Sequence, residues 1–339
     1  MATIRVEGLR KTYGDFPAVV GSDFTVEGGE IFGIVGPNGA GKTTTLKMLA
    51  GLVEPSGGTA EVAGYDAGDP EMRRNLGFLP EESPLYEDMT PRSYLQFFAD
   101  LYDVPREAAR ERTESTLDRL ELEHRERRLG DMSKGMKRKV AIARSLVNDP
   151  DLLIYDEPAS GLDPLTTNYV LEFTRELADR GKTVVFSAHN LYHVESVCDR
   201  IVIMNRGEII ARGTVPEIRE AYGTTRYHVF TTVPVAGADR DERAEGERYR
   251  AVVDDMDAVE EVRERAAAAG GEVVDIRTRE QSLEDIFLDL AAETPPEAAA
   301  GRGRGPAERD AEAAEPRGAS TGSVAGTGEE RERSGGGTR

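Results

Sequence analysis

Tryptophan is absent from this 339-residue chain, cysteine occurs once, and only 7 of its 43 basic side chains are lysine. A lone Cys198 excludes an internal disulfide, which fits a reducing compartment. No stretch approaches the roughly 18 consecutive apolar residues that a membrane-crossing helix needs. The opening MATIRVEGLR also lacks the apolar core of a secretory leader. The expectation is a cytoplasmic protein whose membrane role, if it has one, comes through a partner. Positive charge is in short supply too: 63 acidic residues against 43 basic leave a formal charge of −20. A surface this acidic repels polyphosphate backbones, so nucleic acid is not expected as a partner. The carboxylate excess suits a halophilic surface that stays soluble where salt screens self-repulsion; an ordinary acidic cytosolic protein is the alternative.

What is present divides into three regions. Residues 1–223 alternate short apolar runs with helical patterns, the mark of an α/β domain with a mainly parallel sheet. IFGIVG (31–36) reads as a buried strand and the residues after Gly41 as a helix. Strands recur at DLLIY (151–155), TVVFS (183–187) and RIVIM (200–204). Between them, over about 90–148, lies a helical insertion. Thr90 followed by Pro91 is a helix start, with Leu95, Phe98 and Tyr102 at helical spacing, and a second helix is predicted from Pro105 to Leu120. Residues 224–291 form a small α+β appendage: RYRAVV and EVVDI as strands around a helix from Asp257 to Ala269, then a last helix in SLEDIFLDL. Residues 292–339, made largely of Pro, Gly, Ala, Arg and Glu without an aromatic ring, are expected to be disordered, because they bury too little to offset their ordering entropy.

Gly36, Pro37, Asn38, Gly39, Ala40, Gly41, Lys42, Thr43 and Thr44 spell GPNGAGKTT, which fits G-x-x-x-x-G-K-[ST] between a strand and a helix. Glycines let the backbone curl until successive N–H groups point inward at phosphate oxygens, and the helix that begins there adds its N-terminal partial positive charge. Lys42 is placed to reach the β and γ phosphates and Thr43 to offer a hydroxyl to Mg²⁺. The plainer alternative is a glycine-rich turn that binds nothing. The motif alone says only P-loop NTPase.

DLLIYDEP sets Asp156 and Glu157 at the end of an apolar run. In a parallel sheet that end opens on the same crevice as the phosphate loop. Asp156 is then a metal-binding residue, acting through water, and Glu157 a base for the attacking water. An acidic turn closing any α/β strand is the bland reading.

At this point the sequence resembles the ABC-type ATPases, over about Thr3 to Gly213. MSKGMKRKVAIARSL (132–146) is similar to that family's signature, usually LSGGQ and a basic helix; Ser133 and Gly135 match, while Lys134 and Met136 replace glycine and glutamine. The variant resembles exporters of the bacterial and archaeal drug-resistance type. The resemblance implies a P-loop NTPase core with an N-terminal antiparallel β subdomain. It also implies that Ser133 and Gly135 cap the γ-phosphate of ATP held by a second subunit, so that two subunits sandwich two nucleotides head to tail. A capped amphipathic helix is the alternative for that segment. Tyr13 stands where an aromatic ring stacks on adenine, although a half-buried strand aromatic would look the same. Asp163 in SGLDP resembles the loop that links the two sites, or simply caps the helix starting at Pro164. His189 in SAHN resembles the switch histidine on the γ-phosphate. Glu81 departs from the pattern by replacing the usual glutamine. It is still able to ligate Mg²⁺ or accept from water, but not to donate as an amide does, and it otherwise reads as a solvated residue in an acidic run.

Together these imply an ATPase using ATP and Mg²⁺, with Glu157, His189 and Lys42 as its catalytic residues. Its expected partners are an integral membrane permease on another chain and a second copy or a related ATPase subunit. It would then be peripheral on the inner face of the membrane and work in export. The rival reading is a non-transport ABC ATPase acting on nucleic acid or ribosomes. The charge, the single cassette and the lack of a long coiled coil argue against it. A regulatory module without turnover is opposed by the intact Lys42, Thr43, Asp156, Glu157 and His189 set.

Overall fold

The computed structural model describes residues 2–240 and 248–293. The chain opens with an antiparallel pair, β1 (Ala2–Tyr13) and β2 (Phe16–Glu27), then dives into β3 (Ile31–Val35). The glycine-rich loop leads to α1 (Lys42–Leu49), and β4 (Gly57–Val62) and β5 (Tyr65–Asp66) return to the antiparallel layer. After β6 (Leu76–Leu79) come three helices, α2 (Pro91–Leu101), α3 (Arg106–Arg119) and α4 (Lys134–Ser145). Alternation resumes with β7 (Leu152–Tyr155), α5 (Pro164–Asp179), β8 (Thr183–Ala188) and α6 (Leu191–Val197). It closes with β9 (Arg200–Asn205), β10 (Glu208–Gly213) and α7 (Val215–Tyr222).

These strands form one ten-stranded sheet in the order β5-β4-β1-β2-β10-β9-β3-β8-β7-β6. The half that carries the site, β9-β3-β8-β7-β6, is parallel throughout. Every residue of β3, β7 and β8 is buried, as central parallel strands covered on both faces require. In β2, by contrast, exposed and buried residues mix, because that layer has a solvent side. One core lies under the insertion helices and α5 to α7; a second joins the antiparallel layer to α1. The helix start read at Thr90 is a complete capping box: Thr90 and Ser93 exchange bonds, with Pro91 in the first turn. Arg92 of α2 and Arg125 beyond α3 both clasp Glu114, holding its carboxyl down to about 2.

The remaining described residues form a four-stranded antiparallel sheet in the order β12-β13-β11-β14: β11 (Thr225–Thr231), β12 (Ala238–Arg240), β13 (Tyr249–Val253) and β14 (Val273–Glu280). Helix α8 (Met256–Ala268) covers one face with Val259, Val262 and Ala266. Two of these strands, β11 and β12, were not expected. The outward positions of β11 carry Arg226 and His228, which break up its apolar signal, and β12 is only three residues of mixed polarity. Helix α9 (Leu283–Glu293) also departs from the expected grouping. Its Leu283 and Ile286 are fully buried in the main core beside α6 and α7, so it fastens the small sheet to the large one. The expectation of disorder over 292–339 falls, from residue 294 onward, outside the described residues. Among the described residues no helix is long and apolar enough to cross a membrane.

Candidate functional site

The loop between β3 and α1 is shaped by two glycines that no other residue replaces cheaply. Gly36 sits at φ +153°, where a Cβ would overlap the Met204 carbonyl; Gly41, at φ +102°, would bring one within 2.6 Å of the Ala18 carbonyl. The loop is therefore pressed against β2 and β9, and Gly207 N–H donates to the Ala40 carbonyl at 2.9 Å to back it. Pro37, Asn38 and Gly39 form an exposed rim, Ala40 is buried, and Thr43 and Thr44 are half-buried. Lys42 is only 5% exposed. Its ammonium donates to the Gly36 and Pro37 carbonyls at 2.8 and 3.3 Å, curling back across its own loop.

Strand β7 delivers Asp156 and Glu157 against this loop. Both are buried, and the Asp156 N–H is fixed by the Leu79 carbonyl of β6 at 2.8 Å. One Asp156 oxygen accepts from Thr43 Oγ1 at 3.1 Å and from Ser187 Oγ at 2.6 Å. The same Ser187 hydroxyl accepts from the Glu157 N–H at 2.9 Å. Glu157 lies at φ +47°, a conformation that costs a non-glycine residue energy and that clusters at working sites. Its carboxylate is shared: Oε1 is 3.4 Å from the Lys42 ammonium and Oε2 is 2.8 Å from His189 Nδ1. A buried acid thus sits between a buried cation and a half-exposed imidazole at the mouth of the phosphate loop.

The donor set suits magnesium. The Thr43 hydroxyl and Asp156 carboxylate are adjacent hard oxygens beside the phosphate loop. That arrangement fits an ion which completes its shell with phosphate oxygens and water. Glu81 is not drawn into a carboxylate cluster with Asp156 and Glu157; its side chain is exposed, and its backbone carbonyl accepts from Arg138.

Arg138 is the residue the sequence did not single out. It is 8% exposed on α4, and its guanidinium donates to the carbonyls of Pro80 and Glu81 after β6 and of Asp156, Glu157 and Pro158 after β7, at 2.8 to 3.1 Å. One side chain therefore ties the signature helix to both loops. Burial pushes its pKa down to about 10, so it stays cationic at neutral pH. The visible signal was a run of basic residues on a helix, which ordinarily reads as a solvated face. Ser187 left no signal beyond its place at the end of β8.

The other expected residues lie on helix starts. Ser133 caps α4, its side chain accepting from Met136 N–H at 3.3 Å, and it is exposed. A Cβ on Gly135 would stand 3.2 Å from the Thr166 methyl, so α4 and α5 meet at their N-termini. Asp163 caps α5 through Thr166 N–H and Oγ1 at 3.0 and 2.6 Å, and those bonds hold its pKa below the usual carboxylate range. Tyr13 ends β1 with its ring half-exposed and the Lys11 ammonium 5.1 Å over its face.

Residues 19–160 match the ABC transporter family model, and residues 213–291 match that of the ATP-binding protein DrrA1-3-like, C-terminal domain. The chain is 41% identical over 208 residues to the ABC transporter ATP-binding protein NatA of Bacillus subtilis, a match that spans 60% of this chain and 85% of NatA. It is 34% identical over 300 residues to the Nod factor export ATP-binding protein I of Burkholderia lata, spanning 86% of this chain and 97% of that protein. Among solved structures, the dimeric post-hydrolysis state of an ATP-binding cassette bound to ADP and Pi aligns with a TM-score of 0.58 at 26% identity, over 62% of this chain and 98% of the cassette.

Proposed function

Since this chain belongs to the ATP-binding proteins of ABC transporters, we propose that it works as one half of a head-to-tail ATPase dimer that drives a separate membrane permease, in the direction of export. The observation that carries the reading is Glu157, buried between Lys42 and His189 beside the phosphate loop. In this arrangement the Lys42 charge is balanced by the Glu157 carboxylate. When the γ-phosphate arrives, Lys42 turns to it and Glu157 is freed to face water. The water oxygen bonds to the γ-phosphorus, the bond to the bridging oxygen breaks to release ADP, and the water proton passes to Glu157. His189 orients Glu157 and donates to the γ-phosphate, while loop N–H groups and Lys42 take up the charge that develops. Thr43 and Asp156 would hold magnesium, which supplies Lewis-acid neutralisation of the phosphate oxygens when bound. Glu81, two residues past β6, is proposed to sense that state through water rather than as a direct ligand, and Tyr13 to stack on the adenine.

Ser133 and Gly135 complete the partner's site, with Asp163 at the contact between the two. Export is supported by the name of the Burkholderia relative, which is matched over nearly its full length, and by the DrrA-like C-terminal region. A cassette over 1–223 and an appendage over 224–291 remain the proposed division. The test is the apparent mass of Glu157→Gln with and without Mg-ATP. Turnover should fall by roughly 10²–10⁴-fold and the mass should double with ATP. A variant that hydrolyses at the wild-type rate would remove Glu157 as the base.

A further inference from the structure

The small sheet places cations where a sheet ordinarily avoids them. With α8 covering one face, the other carries the outward residues of β11, β13 and β14. On that face Arg226 lies directly opposite Arg279, and the next pair along is His228 opposite Arg277. Like charges in register repel, so the Arg226–Arg279 pair works against the strand pairing rather than for it. Part of the face deals with this internally. Arg248 and Arg277 both reach Asp275, at 3.3 and 2.8 Å, and stack their guanidinium groups over Phe230.

The rest does not. Arg226 has only distant contacts with Asp254 and Asp289, both at 3.7 Å, and Arg250 and Arg279 have no ion pair among the described residues. These three arginines, with His228, Gln281 and Asp285, line a concavity of about 180 Å³. The concentration is unusual for a chain of net charge −20. Burial, and then the neighbouring Arg250, Arg279 and Arg226, push the His228 pKa down, so the imidazole lies in a locally positive field.

The geometry points to a binding site for a phosphate-bearing anion in this concavity, held by Arg226, Arg250 and Arg279 with His228 and Gln281 as further donors. Guanidinium forks match the paired oxygens of a phosphate, and a compact dianion relieves several like charges at once. Asp285 on one wall takes up part of the charge of Arg279 and Arg226, which leaves room for one compact anion. The site is separate from the nucleotide loop: its residues belong to the second sheet and to the chain from Gln281 into α9, and none contributes to the phosphate loop, β7 or α4. Its ligand is either a free phosphate compound or the phosphate of a lipid headgroup.

The test uses the full chain with its nucleotide loop filled by ADP. Pyrophosphate is titrated by calorimetry, and sedimentation with phosphatidylglycerol vesicles is compared with phosphatidylcholine vesicles. The double variant Arg250→Gln, Arg279→Gln should weaken binding by roughly tenfold or more. Without any probe it should melt no lower than the wild type, because repulsion has been removed. Binding of phosphatidylglycerol alone assigns the site to lipid; binding of pyrophosphate alone assigns it to a free phosphate. Absence of binding to both, or equal binding by wild type and double variant, overturns the proposal. If the double variant fails to fold, Arg279→Gln alone, at an exposed strand position, must weaken binding by roughly threefold or more; unchanged affinity there also overturns it.

Discussion

Two loops of the chain are proposed to receive anions, and they are built in opposite ways. The phosphate loop, Gly36 to Thr44, is wedged between β2 and β9, and its lysine already lies across it. The second, at the N-terminus of α4, stands in the open: Ser133 is exposed and its hydroxyl serves as a helix cap. A loop finished by its own chain can bind alone. A loop whose donors face outward has nothing within its own subunit to hold, so its ligand arrives on another surface. On the proposed reading the two are complementary halves of one site, and each half should fail in its own way when damaged.

Lys42→Ala should have the largest effect. With the buried cation gone, ATP affinity and turnover should both collapse, turnover by roughly 10²–10³-fold. Equilibrium binding of a fluorescent ATP analogue and phosphate release would measure both, and retained binding would show that the loop's N–H groups suffice. Ser133→Arg probes the open half. It should leave the binding of ATP to the monomer unchanged and remove turnover by roughly a hundredfold, because it blocks only the partner's phosphate. If monomer binding fell as well, the distinction between the two loops would be lost.

What joins the halves was least visible in the sequence. The phosphate loop, the Asp156–Glu157 pair and the capped start at Thr90 were legible because each rests on local backbone chemistry: glycine at positive φ, an apolar strand ending in carboxylates, a hydroxyl before proline. Arg138 and Ser187 were not: the Arg138 partners are carbonyls brought in from loops 18 to 58 residues away, and a carbonyl has no identity in sequence, while Ser187 meets Asp156 and the Glu157 N–H only once β7 and β8 are paired. The same holds for α9, whose Leu283 and Ile286 look like any amphipathic face until the core of α6 and α7 receives them. In the small sheet, β11 was missed because its outward arginine and histidine hide the alternation.

Arg138→Gln cuts the link between the halves. The amide offers fewer donors than the guanidinium and leaves several buried carbonyls unpaired, so unfolding free energy should drop by about 3 kcal/mol. ATP binding to the monomer should survive better than turnover, since the lost bonds position Glu157 and the Glu81 loop and not Lys42. Arg138→Lys, a point charge without the fork, should recover stability only in part. Denaturant unfolding together with turnover would show whether the helix and loops move apart, and equal losses of binding and turnover would argue against the link.

The smallest expected effect comes from Asp163→Ala at the contact of α4 and α5. Its carboxylate takes two bonds from Thr166, which lower its pKa, so the charged form is the one the fold favours. The sign follows from linkage: a depressed native pKa adds stability at pH values above the unfolded carboxylate's titration and loses it as pH falls through the native value. The gap in melting temperature between wild type and variant should therefore be small and constant at neutral pH. It should close on acidification below the usual carboxylate range. A gap that stays open in acid would mean that Asp163 acts by something other than its charge, and would take the start of α5 out of the electrostatic account of the open half.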